Sequence, residues 1–284
     1  MMHPISKARE ENKKLPKVLL MNDSHFQEAY VTAEVELGGK DWKLRTTMSV
    51  PKGPLRVIEL LPLVHSFADA LAGAAIGMVE EEGQAVACKK GCGACCRQLV
   101  PVAEVEARYI RAVVHGLPEP RRAEIGARFD QARRQLSEAG LLEKLLHPDQ
   151  WAEGEGLEVG MTYFHQGIPC PFLDHESCSI YEARPLACRE YLVTSPAEHC
   201  AQPRAETIKC VKMPLKVWTA VAALDKIPPG TCFVHWVPLI VAPDWAEAHP
   251  AEQPARPGPD VLQAFFDHLT GRLRQEEQAG SAIT

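Results

Sequence analysis

Cys88-Lys-Lys-Gly-Cys92-Gly-Ala-Cys95-Cys96 packs four cysteines into nine residues of a 284-residue chain. Soft sulfur ligands suit zinc, iron–sulfur clusters or copper(I), and this spacing lets one short loop offer several of them to a cation. Neighbouring residues such as Cys95 and Cys96 rarely reach the geometry of a mutual disulfide, so each can turn to a different metal or partner. The stretch reads as one half of a metal site, with the rest of the chain as its support. The expected fold class is α+β and mainly helical: an N-terminal β-hairpin, then helices around an irregular cysteine-rich metal-binding core.

The other half lies downstream, in Cys170-Pro-Phe-Leu-Asp-His-Glu-Ser-Cys178 and on through Ser-Ile-Tyr-Glu-Ala-Arg-Pro-Leu-Ala-Cys188-Arg-Glu-Tyr191, with Cys200 and Cys210 beyond. The two groups share neither spacing nor flanks, so they read as complementary halves of one site region and not as a duplicated module. CxxxCxxCC, then CPFL, then CxIYxxRPxxCRxY closely resembles the YkgJ-like cysteine-cluster (CxxCxxCC) proteins, whose clustered cysteines are taken to chelate zinc or iron. The resemblance covers roughly residues 86 to 200. It implies Cys88, Cys92, Cys95, Cys96, Cys170, Cys178 and Cys188 as metal ligands, with Cys200 as the eighth and Cys210 as its alternative. It supplies no reaction and no catalytic residues.

Because adjacent residues of one loop cannot close separate sites, the two groups are expected to meet in space. Zinc is preferred on ligand type, since closed sites of four thiolates are its usual structural arrangement and eight cysteines could close two; iron or an iron–sulfur cluster is the alternative cofactor. The expected function is metal binding in a structural, storage, delivery or sensing role. The rival is an iron–sulfur or iron-dependent redox or methyl-transfer enzyme. Cys88-x3-Cys92-x2-Cys95 also matches the spacing of radical S-adenosylmethionine enzymes, but the alternating strands and helices of a barrel are missing, and Ala94 stands where that class favours an aromatic. Bacterial flagellin lysine methylases resemble the cysteine region too, yet no glycine-rich turn follows a strand here. Cys232, alone in an apolar stretch, reads as a packed small hydrophobe.

Net charge −6 offers no basic field for a phosphate backbone, so nucleic acid is not an expected partner, whereas a metal ion is. The apolar run 55–79 is broken by Arg56, Glu59, His65 and Asp69, which reads as a core helix and not a membrane span. With no apolar leader before Lys17 and ten cysteines to keep reduced, a cytoplasmic location is expected.

Four segments are expected: a loosely ordered tail over 1–24; a hairpin around Gly38-Gly39 and a helix within 25–85; the cysteine domain over 86–212; and a C-terminal segment over 213–284. Pro62 should kink the first helix or mark its true start. Further helices are expected from Pro101 to Gly116, from Pro120 to Ala139, from Met213 to Leu224 and from Val261 to Leu273, with a mobile loop over His147–Gly160, a turn at Pro228-Pro229-Gly230 and a linker over 247–259. Lys89, Lys90, Arg97, Arg184 and Arg189 flank the cysteines and could donate to sulfur. Arg184 and Arg189, beside Tyr181 and Tyr191, should order the second loop. His165, His175 and His199 fall near cysteines and any of them could complete a site, but a histidine in a polar loop is more often exposed than a ligand, so all three stay outside the ligand set.

Overall fold

A computed structural model describes residues 17–21, 29–204, 206–225, 235–250 and 253–281, with 17–21 and 272–281 as backbone alone. The fold is α+β and mainly helical, with few short antiparallel strands. Strands β2 (Tyr30–Gly38) and β3 (Lys43–Pro51) form the expected hairpin, pairing Tyr30 with Pro51 and Gly38 with Lys43. Period-two alternation puts Ala33, Val35, Leu37, Leu44, Met48 and Val50 on one buried face. Strand β1 (Lys17–Met21) adds to the other edge of β2, inside the segment read as a loose tail. That correction has a simple cause: an edge strand can be held by main-chain pairing, whatever the polarity of the residues before it.

Helix α1 (Val57–Glu81) lays Leu60, Leu61, Val64, Phe67, Ala68, Leu71 and Ala75 into the core formed with the sheet. It starts five residues before Pro62. The single hydrogen bond that Pro62 removes falls early in the helix, and the Glu59 carboxylate accepts the Arg56 N–H at 2.8 Å, so the first turn holds. The helix is long and apolar enough to cross a membrane by length and composition, but half of its apolar window is buried inside the protein, as a core helix requires. At its end Gly83 takes φ +75, its N–H reaching the Glu80 carbonyl while Gln84 reaches back to Val79. This left-handed stop turns the chain directly toward Cys88.

Pro101 does not begin the next helix: Pro101–Val102 is the short strand β5, and α2 runs Glu104–Gly116. The Glu106 carboxylate caps the Ala103 N–H at 3.0 Å, which places the helix start two residues beyond the strand. Helix α3 (Arg121–Glu138) matches its expected span, and α4 (Leu142–Leu146) follows. The expected mobile loop over His147–Gly160 instead holds a 3-10 turn, Pro148–Gln150, and most of α5 (Glu155–His165). Three glycines and a polar surface hid a helix whose only buried residues are Val159 and Tyr163.

The hairpin of β6 (Leu173–Asp174) and β7 (Ser177–Cys178) leads into α6 (Leu186–Glu190) and α7 (Ala197–Cys200). The helix expected over Met213–Leu224 shortens to α8 (Val217–Ala222). Its start is set by the Glu190 carboxylate, which accepts the Trp218 N–H at 2.9 Å. Strand β8 (Val237–Pro238) pairs with β5, and helix α9 (Ala242–Ala248) follows. Strand β9 (Arg256–Pro257) pairs with β4 (Pro54–Leu55), so the stretch read as a linker holds the end of α9, all of β9 and the start of the terminal helix. The terminal helix α10 (Gly258–Ser281) is longer than expected and buries Val261, Leu262, Phe265, Phe266 and Leu269. The turn at 228–230 and Cys232 lie outside the described residues.

Two apolar clusters result. The first joins the sheet with α1, α8 and α10; the second joins α3, α4 and α5 with the chain around Phe172, Ile180 and Val237–Ala242. Helix α2 contributes Val105 to the first and Ile110 to the second. The cysteines sit along this seam, with Leu186 in the first cluster and Cys170 and Cys178 packed against the second.

Candidate metal centre

The two cysteine groups meet. The Cys170 N–H donates to the Cys96 carbonyl at 2.7 Å. Across the same junction, Arg97 grips Glu176 through two nitrogens at 3.1 and 2.7 Å and also reaches the Gly93 carbonyl at 3.1 Å. Gly93 fits because it has no side chain: a Cβ there would lie 2.7 Å from Glu176 Oε2, 2.8 Å from Leu173 Cδ1 and 2.9 Å from the Glu176 carbonyl oxygen. Gly93→Ala must therefore push the hairpin off the first loop, with an expected cost of about 1–3 kcal/mol by chemical denaturation. Wild-type stability in that variant would show that the loops do not approach this closely.

Nine described cysteines are free thiols. Cys200 is buried, Cys210 is exposed and the other seven are partly buried. The neighbouring Cys96 side chain, followed by burial, raises the Cys95 thiol. Burial raises Cys88, Cys170 (to about 12), Cys178, Cys188 and Cys200 (to about 11). Neighbouring thiols reinforce the effect in a pattern that divides the cluster. Cys188 feels Cys170, Cys95 and Cys178, while Cys200 feels Cys95, Cys88 and Cys92. Cys95 belongs to both neighbourhoods. The Tyr191 hydroxyl accepts from Gln98 at 3.4 Å and lies within electrostatic range of Cys200 and Cys210. Among the described residues, no three His, Cys, Asp or Glu side chains stand close enough to hold an ion as placed, so the thiols form a neighbourhood and not a closed cage.

The main chain supports the sulfurs. Val193 N–H donates to Cys88 Sγ at 3.3 Å. The main chain at Phe172 and at Ile180, each two residues beyond its cysteine, favours the charged form of Cys170 and of Cys178 and partly offsets burial. Such interactions stabilise sulfur when it carries negative charge and are the outer support that thiolate–metal sites use. Val193 also accepts from Ala87 at 2.9 Å and bridges Cys210, tying the first loop to the chain after α6.

Among the described residues the flanking cations make no hydrogen bond to sulfur; Arg97, Arg184 and Arg189 spend donors on scaffold. Arg189, 2% exposed, donates to the Asp69 carboxylate on α1, to the Glu182 carbonyl and, at 3.0 Å, to the Arg184 carbonyl. Arg184 lies over the Tyr181 ring at 4.0 Å with Lys90 Nζ at 5.1 Å from the same ring, and approaches Asp69 at 3.7 Å. Of the two arginines expected to order the second loop, it is Arg189, buried on α6, that grips its carbonyls. His165 and His175 are exposed, His175 in the β6–β7 turn at φ +46, while the half-buried His199 beside Cys200 pairs its Nδ1 with the Thr207 carbonyl at 2.9 Å.

Several supporting residues gave no signal in the sequence. Arg128 on α3 donates to the Pro171 and Leu173 carbonyls, each at 3.1 Å, and to Asp174 at 2.8 Å, where Arg121 joins it. Glu106, 2% exposed on α2, accepts the Leu186 N–H at 2.7 Å as well as that of Ala103, so it fixes the start of α6 and thereby Cys188. Asp225 accepts from Val105 at the start of α2. In each case a buried carboxylate meets a helix N-terminus, where unpaired N–H groups favour negative charge.

Burial nevertheless raises Glu106 to about 7 from 4.5. A carboxyl group with a raised value binds its proton more tightly when folded, so its contribution is present below the unfolded value and is lost as pH rises toward 7. Wild-type stability, compared with Glu106→Gln, should fall by on the order of 1–3 kcal/mol between about pH 5 and 7. Parallel pH profiles for the two proteins would rule Glu106 out as the titrating group.

Residues 87–210 match the family model CxxCxxCC, described as a "putative zinc- or iron-chelating domain". The match spans both cysteine groups, from beside Cys88 to Cys210. No curated protein matches the chain, and no solved structure matches it.

Proposed function

We propose that this protein binds zinc, or alternatively iron, through clustered cysteine thiolates in the cytoplasm, in a structural, storage, delivery or sensing role. The observation that carries this reading is the convergence of two cysteine-bearing segments, joined by the Cys170 N–H on the Cys96 carbonyl at 2.7 Å, with a main-chain N–H, that of Val193, on Cys88 Sγ at 3.3 Å. A purely hydrophobic thiol needs no such donor. The donor set fits a thiophilic cation, since soft sulfur dominates it.

In this reading Cys170, Cys178 and Cys188 hold one ion on the side packed against the second core, and Cys88, Cys92 and Cys200 hold another beside Tyr191. The adjacent Cys95 and Cys96 give one sulfur to each, leaving Cys210 at the exposed rim. A bound ion supplies charge neutralisation that eight crowded thiolates lack, and the protein supplies the convergence. Elemental analysis with an absorption spectrum on anaerobically purified protein tests the metal's identity: zinc with no visible bands is expected. Sulfur-to-iron charge-transfer bands would turn the reading to iron, and absence of any metal would remove it.

A further inference from the structure

Away from the cysteines, α1, α2 and α9 enclose an open cavity of about 350 Å³ lined by Ile58, Arg108, Arg111, Ala112, His115, Ala246, Glu247 and Pro250. Arg108, Arg111, Ala112 and His115 lie three, four and seven residues apart on α2, so one helix face forms a wall. The volume is at the lower end for small-molecule sites.

Arg111 is the informative residue. Its Nε is shielded from water and has no hydrogen-bond partner. Arg133 and Arg184 also carry an unbonded buried Nε, but both commit terminal nitrogens to carboxylates, Arg133 to Asp130 and Asp244 and Arg184 to Asp69. Arg111 has no ion pair among the described residues, whereas Arg108, Arg121, Arg122 and Arg128 each have one. Arg108 is fixed in the wall by the His249 carbonyl at 3.2 Å, by Glu104 at 3.4 Å and by the Trp245 ring at 5.0 Å. Glu247, from α9, lines the same cavity and likewise has no ion pair among the described residues. Helix α9 is held in place by the Arg133–Asp244 ion pair, so Glu247 is carried on a fixed support.

We propose that this cavity binds a small zwitterion, with its carboxylate on Arg111 and its ammonium group toward Glu247. A partly buried guanidinium without a counter-charge is costly, and a carboxylate matches its planar fork with two parallel hydrogen bonds. The apolar lining of Ile58, Ala112, Ala246 and Pro250 suits a short hydrocarbon spacer between the charges. A simple anion would satisfy Arg111 but would meet the carboxylate of Glu247.

The test is calorimetric titration of the full chain with glycine, β-alanine and 4-aminobutyrate, against acetate, propionate, butyrate and the matching alkylamines. At least one amino acid should bind saturably and about tenfold more tightly than its matched anion, the effect of one added charge contact. Arg111→Met should abolish binding of amino acid and anion alike, while Glu247→Gln should lower the amino acid to the level of its anion and leave the anion unchanged. Neither variant should change metal content, so this test stands apart from the reading of the cysteines. The proposal is overturned by no saturable binding at millimolar ligand, by anions binding as tightly as amino acids, or by binding that survives Arg111→Met.

Discussion

Cys188→Ser is expected to remove about one metal ion per chain and to lower the unfolding free energy by several kcal/mol in the same step. Binding at a structural thiolate site is folding free energy, with apparent values of about 10–16 kcal/mol in zinc-finger peptides, so weakening one ligand consumes much of a domain's margin of about 5–15 kcal/mol. Cys188 sits on the short helix α6, whose first N–H is held by Glu106 and whose Arg189 is held by Asp69, so its sulfur is placed by two elements of the first core. Cys92→Ser should also lose metal, with a smaller loss of stability, because Cys92 lies in an irregular loop between the cores. Cys232→Ser is the control and should keep full metal content. Metal analysis and urea unfolding of the three variants decide the matter; equal metal loss in Cys232→Ser and Cys188→Ser would mean the ligands are misassigned.

Arg189→Met should cost about 1–3 kcal/mol, the range for leaving main-chain carbonyls without their donor, since the Asp69 carboxylate left behind is 47% exposed and rehydrates. The substitution strips donors from the Glu182 and Arg184 carbonyls and leaves Asp69 without its close partner. Both carbonyls lie between Cys178 and Cys188, so metal should also leave faster under chelator challenge. Arg184→Lys, by contrast, gives up chiefly a contact with the Tyr181 face and should cost no more than about 1 kcal/mol. If Arg184→Lys proves as damaging as Arg189→Met in urea unfolding and chelator challenge, the hub of the second loop is Arg184 after all.

Much of this was legible in residue order. The hairpin followed from alternation across Gly38-Gly39, and α1, α3 and α10 from apolar residues at three- and four-residue steps. The meeting of the cysteine groups followed from the inability of one short loop to close two sites. What escaped was set by contacts distant in sequence. β5 exists because Val237–Pro238 returns to Pro101–Val102, and no local pattern announces a two-residue pairing over that separation. Helix α5 buries too few residues to produce a visible stripe. Glu106 and Arg128 looked like ordinary solvent-facing charges on amphipathic helices, and only the three-dimensional path of Leu186 and of Pro171–Leu173 gives them partners. The choice of Arg189 over Arg184 turned on where α6 begins: Arg184 lies in extended backbone two residues before it and Arg189 lies inside it, a boundary finer than the sequence resolves.

The most direct measurement is native mass spectrometry of the anaerobically purified chain, recorded again after denaturation in chelator. The account predicts a folded species heavier than the polypeptide by two metal ions, corrected for the protons that ligated thiols release, and a denatured species at the bare mass with all ten cysteines reduced. A folded species at the bare polypeptide mass, with every thiol free, would contradict it.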